Sequence, residues 1–364
     1  MVEYNEEIKQ LEAELAKTKY NKATQHHVGL VKAKIAKLKE KQESRSSKKG
    51  KTTGYDVRKT GDGTVILVGY PSVGKSTLLN HITDAKSKTG AYAFTTLTVV
   101  PGTLNFNHAK IQILDVPGIV KGASDGTGRG KEVLSVARSA DLIILLIEVH
   151  YPEHHDVLIK ELYNRGIRLN QKRPDVTITK TIKDGIHVAS LVKLTKIDAD
   201  TIKGIMREFK MINADVVLRE DINIDQFIDC LEDNKQYVPC LTVVNKIDMV
   251  SKEKASEIMK KVKGDLAVSA EKSINIEKLK EMIFYKLNLI RIYMKEPGKE
   301  ADLNVPLIIF KNSSVKDVCN KLHKDFVAKF KFCRIWGKSS KFPGQKLQLN
   351  HILKDGDVLE IHLR

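Results

Sequence analysis

Cysteine is scarce in this chain: only Cys230, Cys240, Cys319 and Cys333 occur in 364 residues. They form no CxxC pair and are too sparse for a disulfide scaffold, so reduced, buried thiols are expected. Long apolar runs are also missing. The longest, Leu142 to Ile147, is far too short to span a bilayer. Residues 1–20 are charged and have no apolar centre, so neither a signal peptide nor a membrane anchor is expected. A soluble, cytoplasmic monomer is the expectation. Acidic residues are the third shortage, with 45 Asp and Glu against 62 Lys and Arg, a net charge of +17. That imbalance favours a polyanionic partner, such as RNA, DNA or an acidic membrane surface, over a merely soluble basic protein.

What is present begins with a charged arm. Apolar positions at Ile8, Leu11 and Leu15, then Val28, Val31, Ile35 and Leu38, fall at helical steps, predicting two helices with a break near Asn21–Gln25. The stripe is thin, so the arm needs a surface to dock on. Docking on the following domain, a partner or rRNA is favoured over a membrane, because Trp and Phe anchors are absent. Ser44–Gly54 (SRSSKKGKTTG) reads as a polar, basic linker. From Thr64 the texture changes. TVILVG, KIQILD, DLIILLIEV and PCLTVVN are short apolar runs alternating with helical segments. This pattern predicts a mainly parallel sheet covered by helices on both faces. Residues 166–236 break the rhythm with mixed short strands and helices, and strands resume after about Pro297 in a compact α+β module.

The chemistry sits where strands end. Gly69-Tyr-Pro-Ser-Val-Gly-Lys-Ser76 fits G-x-x-x-x-G-K-[ST] between a predicted strand and a predicted helix. Gly69, Pro71, Ser72, Val73, Gly74, Lys75, Ser76 and Thr77 are therefore candidate nucleotide contacts. Glycines let the backbone N–H groups turn toward phosphates, and the helix that follows adds its positive end. Lys75 is expected to reach the β- and γ-phosphates, and Ser76 to bind Mg²⁺. Asp115-Val-Pro-Gly118 follows an apolar strand; Asp115 is expected to hold Mg²⁺ through water, and the Gly118 N–H to sense the γ-phosphate. Asn245-Lys-Ile-Asp248 ends another strand. The Asp248 carboxylate can accept from guanine N1–H and the 2-amino group, which adenine does not offer. Asn245 is expected at the other base edge and the Lys246 stem over the ring. Ser269-Ala270-Glu271 comes after a further short strand, with the Ala270 N–H placed to meet guanine O6. These four elements in order imply GTP and GDP as ligands.

Ala91–Gly102 (AYAFTTLTVVPG) is the candidate first switch, with Phe94, Thr95 and Thr96 near the nucleotide. Both threonines qualify as Mg²⁺ ligands and Thr96 is favoured. Lys75, Thr96 and Gly118 are the candidate catalytic groups. Ile119 occupies the position where Ras-like enzymes place a water-orienting Gln, so slow intrinsic hydrolysis is expected unless another residue, a cation or a partner helps. Residues 118–132, with their many glycines, suit a mobile second switch. Arg129 there is weighed as an internal arginine finger and judged better as a solvated or partner-facing residue.

Together GYPSVGKST, AYAFTTLTVVPG, DVPGIVKGASDGTGRGKEVLSVAR and NKID resemble the developmentally regulated GTP-binding proteins, within the wider Obg group. The resemblance implies an α/β fold: a P-loop GTPase domain with a mainly parallel sheet, an α/β insertion, an N-terminal helical arm and a C-terminal TGS domain of β-grasp type. The boundaries expected are 1–60 for arm and linker, 61–165 and 237–290 for the GTPase domain, 166–236 for the insertion and 291–364 for the TGS domain. It also implies association with ribosomes and with rRNA or tRNA, and in eukaryotic members a regulatory partner protein. Potassium-stimulated members of the wider class often carry Asn where Ser72 stands, which leaves K⁺ as an open cofactor.

Residues bear on part of this independently. Asp115 and Asn245 stand 130 positions apart, enough to require an inserted module. Residues 303–364 hold twelve Lys and Arg against five Asp and Glu, interleaved with Phe326, Phe330, Phe332 and Trp336. Most of these aromatics are expected in the core of the module, leaving charge to attract RNA. His150, His154, His155 and Asp156 suggest a metal site but are better read as solvated surface. A GTPase switch of translation is the leading reading. A GTP-regulated scaffold acting through protein binding is the alternative, and a membrane-trafficking GTPase is a weaker third.

Overall fold

The computed structural model describes residues 2–47, 61–83, 92–93, 98–115 and 139–364. They divide into two compact units, one formed by 1–54 with 166–237, the other by 55–165 with 238–364.

The second unit is built on a seven-stranded sheet. Its strands are β1 (Gly63–Val68), β2 (Tyr92–Ala93), β3 (Thr98–Phe106), β4 (Ala109–Asp115), β5 (Leu142–Glu148), β11 (Cys240–Asn245) and β12 (Leu266–Ala267), in the order β12-β11-β5-β1-β4-β3-β2. β1 pairs in parallel with β4 and β5, and β11 with β5 and β12. β3 runs antiparallel to β4. β1 and β11 are buried along their whole length, which is why their sequences are continuously apolar rather than alternating. Parallel strands all finish at one sheet edge, so the segments that follow β1, β4, β11 and β12 gather there.

The C-terminal module belongs to the same unit. β13 (Leu289–Met294), β14 (Leu307–Phe310), β15 (Phe330–Trp336), β16 (Gln345–Leu347) and β17 (Val358–Leu363) form a sheet ordered β14-β13-β17-β15-β16. β13 pairs in parallel with β17 and the remaining pairs are antiparallel, around the helix Val315–Leu322, a β-grasp arrangement. Leu289 and Ile308 join the core of the seven-stranded sheet, and Lys321 Nζ meets Asp62 Oδ1 at 2.7 Å. The expected aromatic core holds for Phe330, with Phe326 packed against it. Phe332 and Trp336 depart from that expectation. The β15–β17 register shifts between Phe330 and Phe332, so Cys333 and Ile335 face inward while Phe332 and Trp336 lie half-buried on the outer face. There Phe332 stacks on His362 at 4.3 Å between ring centres, with Lys346 Nζ 4.8 Å above it, and Lys295 Nζ sits 4.8 Å from the Trp336 ring.

The first unit joins the arm to the inserted segment. Helices Val2–Lys17 and Gln25–Ser47 pair through Ile8, Val31, Ile35 and Leu38. The second helix has another apolar face, Val28 and Ala33, which enters the core of the insertion with Ile202, Ile205 and Phe227. The insertion supplies the docking surface, where the sequence pointed to the GTPase domain, a partner or rRNA. A Cβ at Gly29 would stand 2.8 Å from Thr201 Cγ2, so glycine there lets the two helices approach. The insertion itself is a sheet ordered β7-β9-β8 (Val176–Lys180, Ala214–Leu218, Ile186–Ser190), with helices Ala199–Glu208 and Ile224–Glu232. Within it Arg168 and Asp229 form a two-pronged buried ion pair at 2.6 and 2.7 Å.

Candidate functional site

The loop after β1 opens into the helix Lys75–Ile82 through Gly74, at φ 95°. A Cβ at Gly74 would lie 2.5 Å from Asn245 Nδ2, so both conformation and space demand glycine. Ser72 also takes a left-handed conformation, φ 63°. Val73 is buried in the sheet core and anchors the middle of the loop, while Pro71, Ser72 and Thr77 stay exposed.

Lys75 is buried, and its ammonium donates to the carbonyls of Gly69 and Tyr70, both at 3.1 Å. Burial pushes its pKa below the ordinary lysine value, an effect opposed by the nearby Asp115 carboxylate. A buried cation held by neutral carbonyls is poised for an anion, because phosphate oxygens can supply the counter-charge that carbonyl dipoles supply in part. Ser76 Oγ donates to Asp115 Oδ2 at 2.8 Å, while Asp115 Oδ1 is buried without a hydrogen-bond partner. A carboxylate with one orphaned oxygen beside a hydroxyl is a hard-oxygen donor set that fits Mg²⁺.

Tyr70, in the same loop, stacks on His154 with ring centres 3.7 Å apart, and His154 stacks in turn on Tyr151 at 5.3 Å. His155 Nδ1 lies 2.9 Å from Asp156 Oδ1. Among the described residues no three His, Cys, Asp or Glu side chains gather for a metal. His154 is thus a buttress of the phosphate loop rather than the simply solvated residue expected.

Across the sheet edge, Gly74, Thr77, Asn245, Lys246, Asp248, Ser269, Ala270 and Glu271 line one recess. Its geometry revises two expected roles. Asn245 Nδ2 donates to the Val73 carbonyl at 2.8 Å, and Asn245 Oδ1 accepts from the Ala270 N–H at 3.0 Å. The carboxamide and the Ala270 amide, both expected at the base, are joined to each other here. Both residues are buried, where an unpaired amide is costly. Asn245 therefore ties the phosphate loop to the base-side loop. The carboxyl of Asp248, expected as the acceptor for the base, is held below the usual carboxylate range by a hydrogen bond from Ser269 and by the Lys272 ammonium, 3.6 Å away.

Lys246, left-handed at φ 65°, anchors its head on Glu148 at 2.9 Å. Glu148 was not foreseen. Its signal was available: an acidic residue closing an otherwise apolar parallel strand stands at the edge where such sheets bind ligands. Phe94, Thr95, Thr96, Gly118, Ile119 and Arg129 lie outside the described residues.

Comparison with known proteins agrees with this arrangement. The family model described as a 50S ribosome-binding GTPase matches residues 64–181, and the model for the C-terminal region of MMR_HSR1 domain matches 183–289. The TGS domain matches 290–363. An uncharacterized GTP-binding protein of Methanocaldococcus jannaschii is 54% identical, over 99% of this chain and 93% of its own. Developmentally-regulated G-protein 3 of Arabidopsis thaliana is 44% identical over 98% of both chains. Developmentally-regulated GTP-binding protein 1 of Xenopus laevis is 42% identical over 97% of both.

Proposed function

The chain belongs to the family of developmentally regulated GTP-binding proteins, GTPases with a C-terminal TGS domain, and on that premise we propose that it is a Mg²⁺-dependent switch acting on ribosomes and RNA. One observation carries the magnesium reading: Asp115 presents a buried, unpartnered oxygen beside the Ser76 hydroxyl. Ser76 and Asp115 would hold the ion, directly and through water, together with Thr96 from the first switch. Bound there, magnesium supplies positive charge to the β- and γ-phosphates.

The chain's own groups account for the rest. Lys75 exchanges its carbonyl partners for phosphate oxygens, and burial strengthens that attraction because water is excluded. Asp248, kept ionised, accepts from the guanine edge, and an adenine there leaves the carboxylate unpaired. Asn245 makes the two halves of the site one body. The ribosome and RNA reading is supported by the net charge of +17 and by the basic, aromatic outer face of the TGS sheet.

The test is steady-state hydrolysis of GTP against ATP, in potassium and in sodium, for the wild type, Lys75→Ala and Asp248→Asn. GTP-selective turnover should fall by about a thousandfold in Lys75→Ala. Asp248→Asn should lose much of its preference for guanine. Turnover of ATP at the GTP rate, or turnover indifferent to Lys75, rejects the site. Magnesium is tested separately by titrating GDP in the presence and absence of chelator. Ribosome co-sedimentation at several salt concentrations, with GTP or GDP, tests the partner; pelleting indifferent to nucleotide favours a scaffold over a switch.

A further inference from the structure

A cavity of about 910 Å³ lies in the first unit, between the arm and the insertion, and shares no lining residue with the nucleotide recess. We propose that this cavity is a second anion site, which holds the phosphate backbone of a single nucleic-acid strand. The inference rests on the RNA reading above and gives it a location.

Four lysines line the cavity: Lys22 and Lys32 from the arm, Lys193 and Lys196 from the insertion. Two are committed. Lys32 Nζ pairs with Asp225 at 2.7 Å, and Lys196 Nζ donates to the Asp221 carbonyl at 3.2 Å. Lys22 and Lys193 are exposed and have no carboxylate partner among the described residues. Against these stand two lining carboxylates, Asp198 and Asp225. Asp198 caps its helix through the Thr201 N–H at 2.7 Å, and with Asp221 pinning the same loop the four lysines outnumber the carboxylates by one, so the surplus charge is positive.

The walls are built rather than incidental. Asp221 pins the lining loop by accepting from Thr195 N at 2.9 Å, Thr195 Oγ1 at 2.5 Å and Lys196 N at 3.3 Å. The arm then grips the same loop: the buried Gln25 Nε2 donates to the Lys196 carbonyl at 2.6 Å, and Tyr20 Oη to the same oxygen at 3.2 Å. The Tyr20 side chain remains largely exposed at the rim, available as a stacking surface for a base. Helices starting at Gln25, Ala199 and Ile224 each turn their first residues into the cavity, adding the partial positive charge of their N-terminal ends. A strand fits better than a lone anion because the free lysines come from opposite walls. The arm as a whole is also basic, with thirteen Lys and Arg against seven Asp and Glu in residues 1–54.

The test uses the full chain and a fluorescein-labelled oligouridylate of about twelve nucleotides, read by fluorescence anisotropy at about 50 and 200 mM salt. Reversing both free lysines (Lys22→Glu with Lys193→Glu) should weaken binding at least about tenfold at low salt and flatten the salt slope by about 1.4. Asp225→Asn, which removes a lining carboxylate and releases Lys32, should tighten binding a few-fold, an effect no misfolded variant would mimic. Reversing Lys254 and Lys260, on an exposed helix of the other unit, is the control. A loss no greater than the control's overturns the cavity while leaving RNA binding elsewhere intact; no binding by the wild type overturns the RNA reading itself. Displacement of the strand by uridine monophosphate at equal phosphate concentration overturns the strand in favour of a small ligand.

Discussion

Lys75 and Lys193 are the same side chain put to opposite uses. Lys75 is buried, lies within eight contiguous residues that supply its partners, and carries its charge against a desolvation penalty. Lys193 is exposed and lines a cavity whose other wall comes from a part of the chain some 170 residues away. The first arrangement suits phosphates at a defined place, because the backbone is wrapped around the ammonium. The second suits the extended backbone proposed for it, with an attraction that salt would screen. Local geometry gives precision, and distant convergence gives capture.

If the two sites are physically separate devices, damage to one unit should spare the other. The largest test is Arg168→Ala. It leaves Asp229 buried with its two-pronged partner gone, a situation that costs about 3–5 kcal/mol. Chemical denaturation should show the first unit melting earlier, while GDP affinity stays within a factor of about two. A parallel fall in GDP affinity would mean that the units stabilise one another and would erase the distinction.

A smaller effect is expected inside the nucleotide site. Asn245→Ala leaves the Val73 carbonyl and the Ala270 N–H without their shared partner, at about 1–3 kcal/mol for a buried group. GDP affinity should fall by about thirtyfold, roughly 2 kcal/mol, while GTP-over-ATP preference is retained because Asp248 is untouched. Were preference lost as well, Asn245 would be reading the base itself and the tie would be secondary.

The contrast also explains what could be read beforehand. Gly69 to Ser76 declares its shape in eight letters because every partner of Lys75 lies within them or one strand away. Asp115 and Asp248 were legible for the same reason: each ends a run of apolar residues whose direction is set by the sheet. The Asn245–Ala270 bond was not, since two groups that each suit a base equally suit one another once the strand ends are fixed. Phe332 and Trp336 escaped because one register shift in β15 exchanges the faces of a strand, and no residue type announces it. The arm's docking surface was hidden more deeply. Gly29 fits against Thr201 only when segments far apart in sequence have already folded together.

The finest test follows the proton on Lys75. In the free protein its pKa is depressed by burial, so the charged form disfavours folding at neutral pH. That penalty is relieved as pH rises through the depressed value toward the ordinary one, the window in which the unfolded chain holds more protons. Phosphates placed beside the ammonium act in the other direction and raise the pKa again. Nucleotide binding within that window, just below the ordinary lysine value, should therefore take up a fraction of a proton. Calorimetry of GDP binding in buffers of different ionisation enthalpy would measure it. The uptake should disappear in Lys75→Met. If the variant took up as much as the wild type, the proton would belong to another group, and burial would not be what separates Lys75 from the lysines of the cavity.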